Sequence, residues 1–259
     1  SIRRRQRQMC IRDSLKGLPG STSNNLPLDE IIHLAQNDIE ALTKGGVHGL
    51  IIENFGDAPF VKDNLSKRSL VSFTTVVSKL NIDEHLKIGI NVLRNDGFSA
   101  LAIAEATNAD FVRINVLNNI MYTDQGIIEG KAYEISQLRS TLSKNIEVFA
   151  DVFVKHATPP YGSKIENHAK ELVERAGADV VIVSGDGTGE ETDISDLRKI
   201  RNVVPDGKLA IGSGLTINNI EEFSKVSDIG IIGTDFKVDG VLDNPVELKR
   251  VKDIVNKIS

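Results

Sequence analysis

Short β-rich runs alternate with helical patterns along nearly the whole chain, and that alternation limits the fold more than any other feature of the 259 residues. The runs are residues 49–53 (GLIIE), 87–92 (KIGINV), 111–116 (FVRINV), 147–154 (EVFADVFV), 180–184 (VVIVS), 209–212 (LAIG) and 229–233 (IGIIG). Strand–helix units repeated in this way, with room for one more strand ahead of Leu15, are the pattern of a (β/α)8 TIM barrel. A doubly wound open sheet would instead carry a glycine-rich dinucleotide turn after an early strand, and none is present. No linker or low-complexity tract interrupts residues 15–259, which read as a single domain.

Three helices carry boundary signals. Residues 29–44 place Ile31, Leu34, Ala35, Ile39 and Leu42 on one face and stop at Gly45-Gly46. Ser163-Lys164-Ile165-Glu166 fits a capping box opening a helix to Ala176. Pro245 fits a first helical position, followed by Val251, Ile254, Val255 and Ile258 at helical spacing.

Residues 1–14 (SIRRRQRQMCIRDS) stand apart. No apolar stretch follows the arginines, so a secretory signal is not expected. The string resembles translated sequencing-adapter sequence fused to a truncated reading frame. It is therefore set aside as a non-native tail, with the first barrel strand damaged or replaced.

Composition narrows the function. A net charge of -5 argues against a nucleic-acid partner, which needs a basic surface. No apolar run approaches the roughly 20 residues of a membrane-inserted helix. The single cysteine, Cys10, excludes an intrachain disulfide and a cysteine-built zinc site. A reducing, cytoplasmic setting is expected, and a homo-oligomer is left open.

Strand residues alternate between the helix layer and the barrel interior. In residues 147–155 the inward set is Phe149, Asp151, Phe153 and Lys155, and the outward set is Val148, Ala150, Val152 and Val154. The same parity sends Asn91, Arg113, Asn115 and Glu53 inward and leaves Ser184 at its strand end. Burying ionic groups costs several kcal/mol each unless they are paired. Their gathering at strand C-terminal ends, where barrel active sites sit, marks a candidate site. Lys155, Asp151, Glu53 and Arg113 are the expected catalytic groups, and Asn91, Asn115, Asp124 and Ser184 the substrate-binding ones. His156 is a weaker catalytic candidate.

Two glycine turns follow the last two strands. Gly212-Ser213-Gly214-Leu215-Thr216 and Gly233-Thr234-Asp235-Phe236-Lys237 occupy the positions where barrels grip phosphate with backbone N–H groups. Gly212, Ser213, Gly214, Thr216, Gly233 and Thr234 are the expected phosphate-binding residues, with Lys237 able to add charge. The neighbouring turn, residues 184–189 (SGDGTG), could line the same pocket. Two longer connections, 54–68 and 117–130, bring Asp57, Asp124 and Gln125 toward the mouth. Asp57 with Glu53 could bind a divalent metal through oxygen ligands, although no ligand spacing specifies one and no cofactor is identified. No G-x-x-x-x-G-K-[ST] string supports nucleotide triphosphate hydrolysis.

Several strings resemble the BtpA family: residues 45–60 (GGVHGLIIENFGDAPF), 91–96 (NVLRND), 123–130 (TDQGIIEG), Asp151 with Val154-Lys155-His156, and Gly212-Ser213-Gly214. The resemblance runs from Leu15 almost to the C-terminus and implies a phosphate-binding (β/α)8 barrel. The family takes its name from a cyanobacterial factor needed to accumulate photosystem I. The resemblance implies a departure at Ser14, where family members usually carry a histidine.

Two functions are weighed. The first is an enzyme on a small phosphorylated metabolite, with isomerase, epimerase or lyase chemistry by an acid–base pair or a lysine imine at the mouth. The second is a non-catalytic assembly or stability factor for a membrane protein complex, which would need an exposed apolar patch.

Overall fold

The computed structural model describes residues 8–185 and 192–258. Its centre is a closed barrel of eight parallel strands. The elements in chain order are β1 (Gln8–Ser14), α1 (Leu28–Gly45), β2 (Gly49–Glu53), α2 (Lys67–Lys79), β3 (Lys87–Asn91), α3 (Gly97–Ala106), β4 (Phe111–Ile114), β5 (Ile120–Thr123) and β6 (Gly126–Glu129). They continue with α4 (Ala132–Arg139), β7 (Glu147–Val152), β8 (Ala157–Thr158), α5 (Ile165–Glu174), β9 (Val180–Val183), α6 (Ile194–Arg201), β10 (Leu209–Ile211), α7 (Ile220–Phe223), β11 (Ile229–Ile232) and α8 (Leu248–Ile258). The barrel runs β1-β2-β3-β4-β7-β9-β10-β11 and closes by β11 pairing with β1.

Two apolar layers hold this arrangement. Outward strand residues such as Ile52, Ile90, Val112, Ala150 and Val183 pack under the buried faces of the helices, including Ile31, Ile39 and Leu42 of α1. α1 stops where expected, with Gly46 in the left-handed region at φ 85°. Inside the barrel, Cys10, Ile51, Phe111, Phe149, Val180, Ile182, Ala210, Ile229 and Ile231 form a separate core. Phe111 and Phe149 stack there with centroids 4.2 Å apart. Gly89 makes room for that stack, since a Cβ at this position would lie 2.2 Å from the Phe111 ring.

Several expectations are corrected. Residues 8–14, set aside as a tail, form β1, because Met9, Cys10 and Ile11 offer the apolar side chains that a barrel strand must bury on both faces. The capping box is absent: α5 begins at Ile165 after Lys164 without a side-chain cap, and Ser163 Oγ donates to Pro160 O. Pro245 precedes α8 rather than opening it, beside an antiparallel bridge between Lys237 and Val246. The connection 117–130 folds into a hairpin, and β5 also pairs with β8 to make a three-stranded antiparallel sheet.

The strand parity after Asp151 is also corrected. β7 ends at Val152, and Phe153 takes a left-handed conformation at φ 49°. That reversal breaks the two-residue period, so Phe153 leaves the interior and packs against His168 of α5, 5.2 Å between ring centroids. Lys155 still reaches the mouth.

A candidate active site at the barrel mouth

Above the inner apolar core the strand positions turn polar. Glu53, Asn91 and Arg113 are register partners on β2, β3 and β4, so backbone pairing alone sets them side by side. Arg12 of β1 and Asp151 of β7 complete the layer, and all five are buried. Arg113 grips Asp151 through two parallel bonds, Nε to Oδ2 at 2.8 Å and Nη2 to Oδ1 at 2.7 Å. Ser184 Oγ donates to the same carboxylate at 3.2 Å. Burial by itself would lower the Arg113 pKa, but Asp151 and then Glu53 outweigh it and raise the pKa. Glu53 is held on its other side by Arg12 Nε at 3.1 Å and Ser14 Oγ at 3.2 Å, both on Oε1.

Over this layer opens a cavity of about 300 Å³. Arg12, Arg94 and Arg113 bring positive charge to its wall, against Glu53 and Asp124, and Lys155 adds an amine. Asn91, Asn115 and His156 supply further polar groups, and Phe55, Phe60 and Leu93 apolar surface. Asp124 reaches it from the hairpin turn as an exposed side chain. Arg12 also lies over the Phe55 ring, 5.5 Å from its centroid.

Lys155 is the chemically unusual member. It is 5% exposed, and among the described residues its Nζ has no hydrogen-bond partner. Burial, reinforced by the charges of Arg12 and Arg113, pulls its pKa down to about 7, against the opposing pull of Glu53 and Asp151. A neutral amine with a free lone pair is the form that attacks carbon or takes a proton. Asn91 also lines the cavity with an unpartnered atom: its Nδ2 donates to Arg113 O and Asn115 Oδ1, each at 3.0 Å, while its buried Oδ1 receives nothing among the described residues. The third such atom, Gln125 Oε1, lies outside the cavity lining. Asn91 therefore offers the cavity an acceptor, suited to a hydroxyl rather than to polarising a carbonyl oxygen.

The loops that hold these groups explain the distinctive strings. Asn54 Oδ1 receives Leu93 N at 2.7 Å, and Asn95 bonds both N and O of Val116. Asp96 caps α3 through Ser99 N and also receives Leu65 N. These bonds brace the segment carrying Arg94, whose Nη2 donates to Lys155 O at 2.5 Å. Gly56 lies so close to the backbone of Leu15 and Gly17 that a Cβ would come within 2.5 Å of both.

The glycine turns stand behind two of the guanidinium groups. A Cβ on Gly212 would lie 3.3 Å from Arg113 Nη2, and one on Gly233 would lie 3.2 Å from Arg12 Nη2. The turns touch each other, since Ile217 N donates to Asp235 Oδ2 at 3.0 Å. Part of their polarity is used internally: Thr216 N bonds Asn219 Oδ1, Thr216 Oγ1 receives Asn218 N, and Ser213 Oγ receives Gly185 N. Thr234 opens a short 3-10 turn beside Gly233. Residues 186–189 of the neighbouring turn lie outside the described residues.

Two further expectations fail on geometry. Lys237 turns toward α1, where its Nζ meets Asp38 Oδ2 at 2.6 Å. The proposed metal pair of Asp57 and Glu53 is not formed, because Asp57 is taken by Leu18 N at 2.7 Å and Asn54 Nδ2 at 2.9 Å. Glu53 meanwhile is committed to Arg12.

Arg12 and Arg94 are the site residues that sequence reasoning passed over. Arg12 lies in the segment ahead of Leu15, where C-I-R-D-S read as a strand sends it inward with Cys10. Arg94 lies just past β3, where no strand parity applies.

Comparison with known proteins follows this geometry. An uncharacterised protein of Methanocaldococcus jannaschii is 43% identical over 242 residues, covering 93% of this chain and 91% of the relative. The photosystem I biogenesis protein BtpA of Synechocystis is 36% identical over 242 residues, covering 93% and 84%. Among solved structures, 3-hexulose-6-phosphate synthase from Salmonella typhimurium superposes with a TM-score of 0.60 at 16% identity, covering 97% of this chain and 98% of that one. That likeness is one of fold. The family model described as the BtpA family matches residues 9–259, and the chain belongs to that family.

Proposed function

We propose that this chain is an enzyme acting on a small phosphorylated metabolite, with isomerase, epimerase or lyase chemistry at the barrel mouth. The observation that carries the reading is Lys155: a buried amine without a hydrogen-bond partner among the described residues, in a cavity lined by Arg113, which is ion-paired to Asp151. A barrel gains no stability from such a group, because desolvating an amine without pairing it costs free energy. Catalysis explains its retention.

The excess of positive charge on the wall favours an anionic ligand, and the 3-hexulose-6-phosphate synthase fold supports a phosphate ester. In this reading Gly212, Ser213, Gly214, Thr216, Gly233 and Thr234 hold the phosphate, and Arg12 backs them. Lys155 is the base or nucleophile, with Asp151 and Glu53 acting on its charge through space. Asn91, Asn115, Ser184 and Asp124 orient the rest of the substrate.

The second reading, an assembly or stability factor for a membrane protein complex, draws on the name of the Synechocystis relative. Tyr122 and Ile127, paired across the hairpin and each 47% exposed, are the apolar surface it would use. The buried ionic layer is better explained by ligand chemistry, so this reading stands second.

Thermal shift against a panel of phosphorylated metabolites decides between them. The enzyme reading expects stabilisation by at least one phosphate ester and turnover that is lost in Lys155→Met with ligand binding retained. Absence of stabilisation by every ester, with partner binding intact in Lys155→Met, would replace it with the assembly reading.

A further inference from the structure

Asn91 and Lys155, which line one cavity, each carry an unpartnered buried atom, and the two atoms are complementary. Asn91 is 1% exposed, its Nδ2 is committed to the Arg113 carbonyl, and its Oδ1 is left needing a donor. The bond to a backbone carbonyl settles the amide orientation, since reversing the amide would set two oxygens against each other. Lys155 Nζ is left with neither donor nor acceptor partner among the described residues. Buried polar groups in folded proteins are almost always paired, and two exceptions on one cavity wall point to a ligand that pairs both. Such a ligand must present a donor to Asn91 and an electron-poor atom to the amine.

Resting on the enzyme reading above, we infer that the mouth takes a phosphorylated hydroxycarbonyl compound, whose carbonyl carbon forms an imine with Lys155 Nζ while a hydroxyl donates to Asn91 Oδ1. The surroundings suit this chemistry. Phe55, Phe60 and Leu93 add apolar surface to the cavity wall, and such surroundings favour the uncharged amine over ammonium. Arg94 fixes the lysine backbone through its carbonyl, so the amine is presented from a braced segment. The cation produced by the reaction forms near Glu53 and Asp151, the two carboxylates already acting on the Lys155 charge.

The step balances without a co-reactant. The nitrogen lone pair forms the C–N bond as the carbonyl π pair moves to oxygen. One N–H proton passes to that oxygen, giving a neutral carbinolamine. A second proton from the ammonium–carboxylate pool protonates the hydroxyl, water leaves, and the nitrogen lone pair closes the iminium. The sum is a carbonyl and a lysine ammonium giving a lysine iminium and one water.

Trapping with borohydride tests it. The full chain is incubated with dihydroxyacetone phosphate, acetonyl phosphate (the same ketone without the free hydroxyl), dihydroxyacetone or glycerol 3-phosphate, then reduced and mapped by peptide mass. The expected result is one reduced adduct on the peptide containing Lys155 with both ketone phosphates. Glycerol 3-phosphate should give none, and neither should Lys155→Arg or Lys155→Met with any probe. Asn91→Leu should slow trapping of dihydroxyacetone phosphate about tenfold and of acetonyl phosphate less than twofold. Asn91→Ala repeats this contrast if the leucine variant melts early. Label spread evenly over surface lysines, or persisting in Lys155→Met, overturns the imine. An equal loss for both ketones in the Asn91 variants overturns the hydroxyl contact.

Melting with glycerol 3-phosphate separates the two levels of the argument. Stabilisation by glycerol 3-phosphate without any adduct removes the imine and leaves the phosphate reading standing. An adduct on Lys155 formed as fast with dihydroxyacetone as with its phosphate keeps the imine and removes the phosphate.

Discussion

Arg113 and Asp151 lie on adjacent barrel strands and bind each other in parallel, 2.8 and 2.7 Å apart, with both side chains almost wholly out of water. A pair so placed is costly to break from one side, because the survivor is left as a buried charge. Asp151→Asn should destabilise the chain by about 3–5 kcal/mol in urea unfolding. Replacing both by apolar residues of similar volume (Arg113→Met with Asp151→Leu) should cost less than the sum of the single changes. Additive costs would show that the two charges do not depend on each other.

Lys155 acts on stability in the opposite sense. Its folded pKa of about 7 lies below the ordinary 10.5, so between these values the unfolded chain binds the extra proton. Stability should therefore rise with pH across that window, and the full penalty should be present below pH 7. Lys155→Met should stabilise the protein at neutral pH by something on the order of 2 kcal/mol and flatten the rise toward pH 10. A melting profile of the two proteins from pH 6 to pH 10 checks both statements.

His168 predicts acid sensitivity far from the mouth. Burial pulls its pKa to about 4, opposed by Glu171, and its Nε2 meets Asn118 Oδ1 at 2.7 Å. Between about 6.5 and 4 the unfolded chain takes a proton that the folded one refuses, so stability should fall as pH drops through that range. Charges able to face His168 from the elements around it are Glu171 on α5 and Lys164 ahead of it, with Phe153 and Asn119 contributing none. His168→Phe should remove most of the loss between pH 6.5 and pH 4.5, read as melting temperature.

Gly212 tests how tightly the first glycine turn is built. A Cβ there would stand 2.5 Å from both Ile182 Cγ2 and Ser184 Oγ, inside the barrel. At Gly230 it would meet only the tip of Leu215, at 3.0 Å. Gly212→Ala should cost about 1–3 kcal/mol through overpacking, and Gly230→Ala clearly less. Equal melting temperatures for the two variants would contradict this packing.

The legibility of the molecule in its sequence follows the reach of each local rule. Strand parity holds wherever the backbone stays extended, so Glu53, Asn91, Arg113 and Asp151 were all placed inward correctly. It fails at Phe153, where one left-handed residue reverses the alternation, and no residue type there announces it. Asp57 and Lys237 were misplaced for another reason. Each is a charge whose nearest loop suggested the mouth, while its partner, Leu18 N in one case and Asp38 in the other, lies far along the chain. The hairpin of β5 and β6 resembles a loop in sequence because its strands are four residues each and bury little on one face. Arg12 shows the reverse error: seven residues judged by their origin still have the pattern of a strand, and the barrel closes through them.

β8 follows Lys155 after a single intervening residue, and it is pinned to the hairpin through Tyr122–Thr158 and Thr123–Ala157. The hairpin turn that carries Asp124 and the backbone that carries the amine thus belong to one hydrogen-bonded body. Any swing of that body that widened the entrance would drag the main chain of Lys155 along with it. The width of the entrance and the position of the amine are thereby tied mechanically to each other.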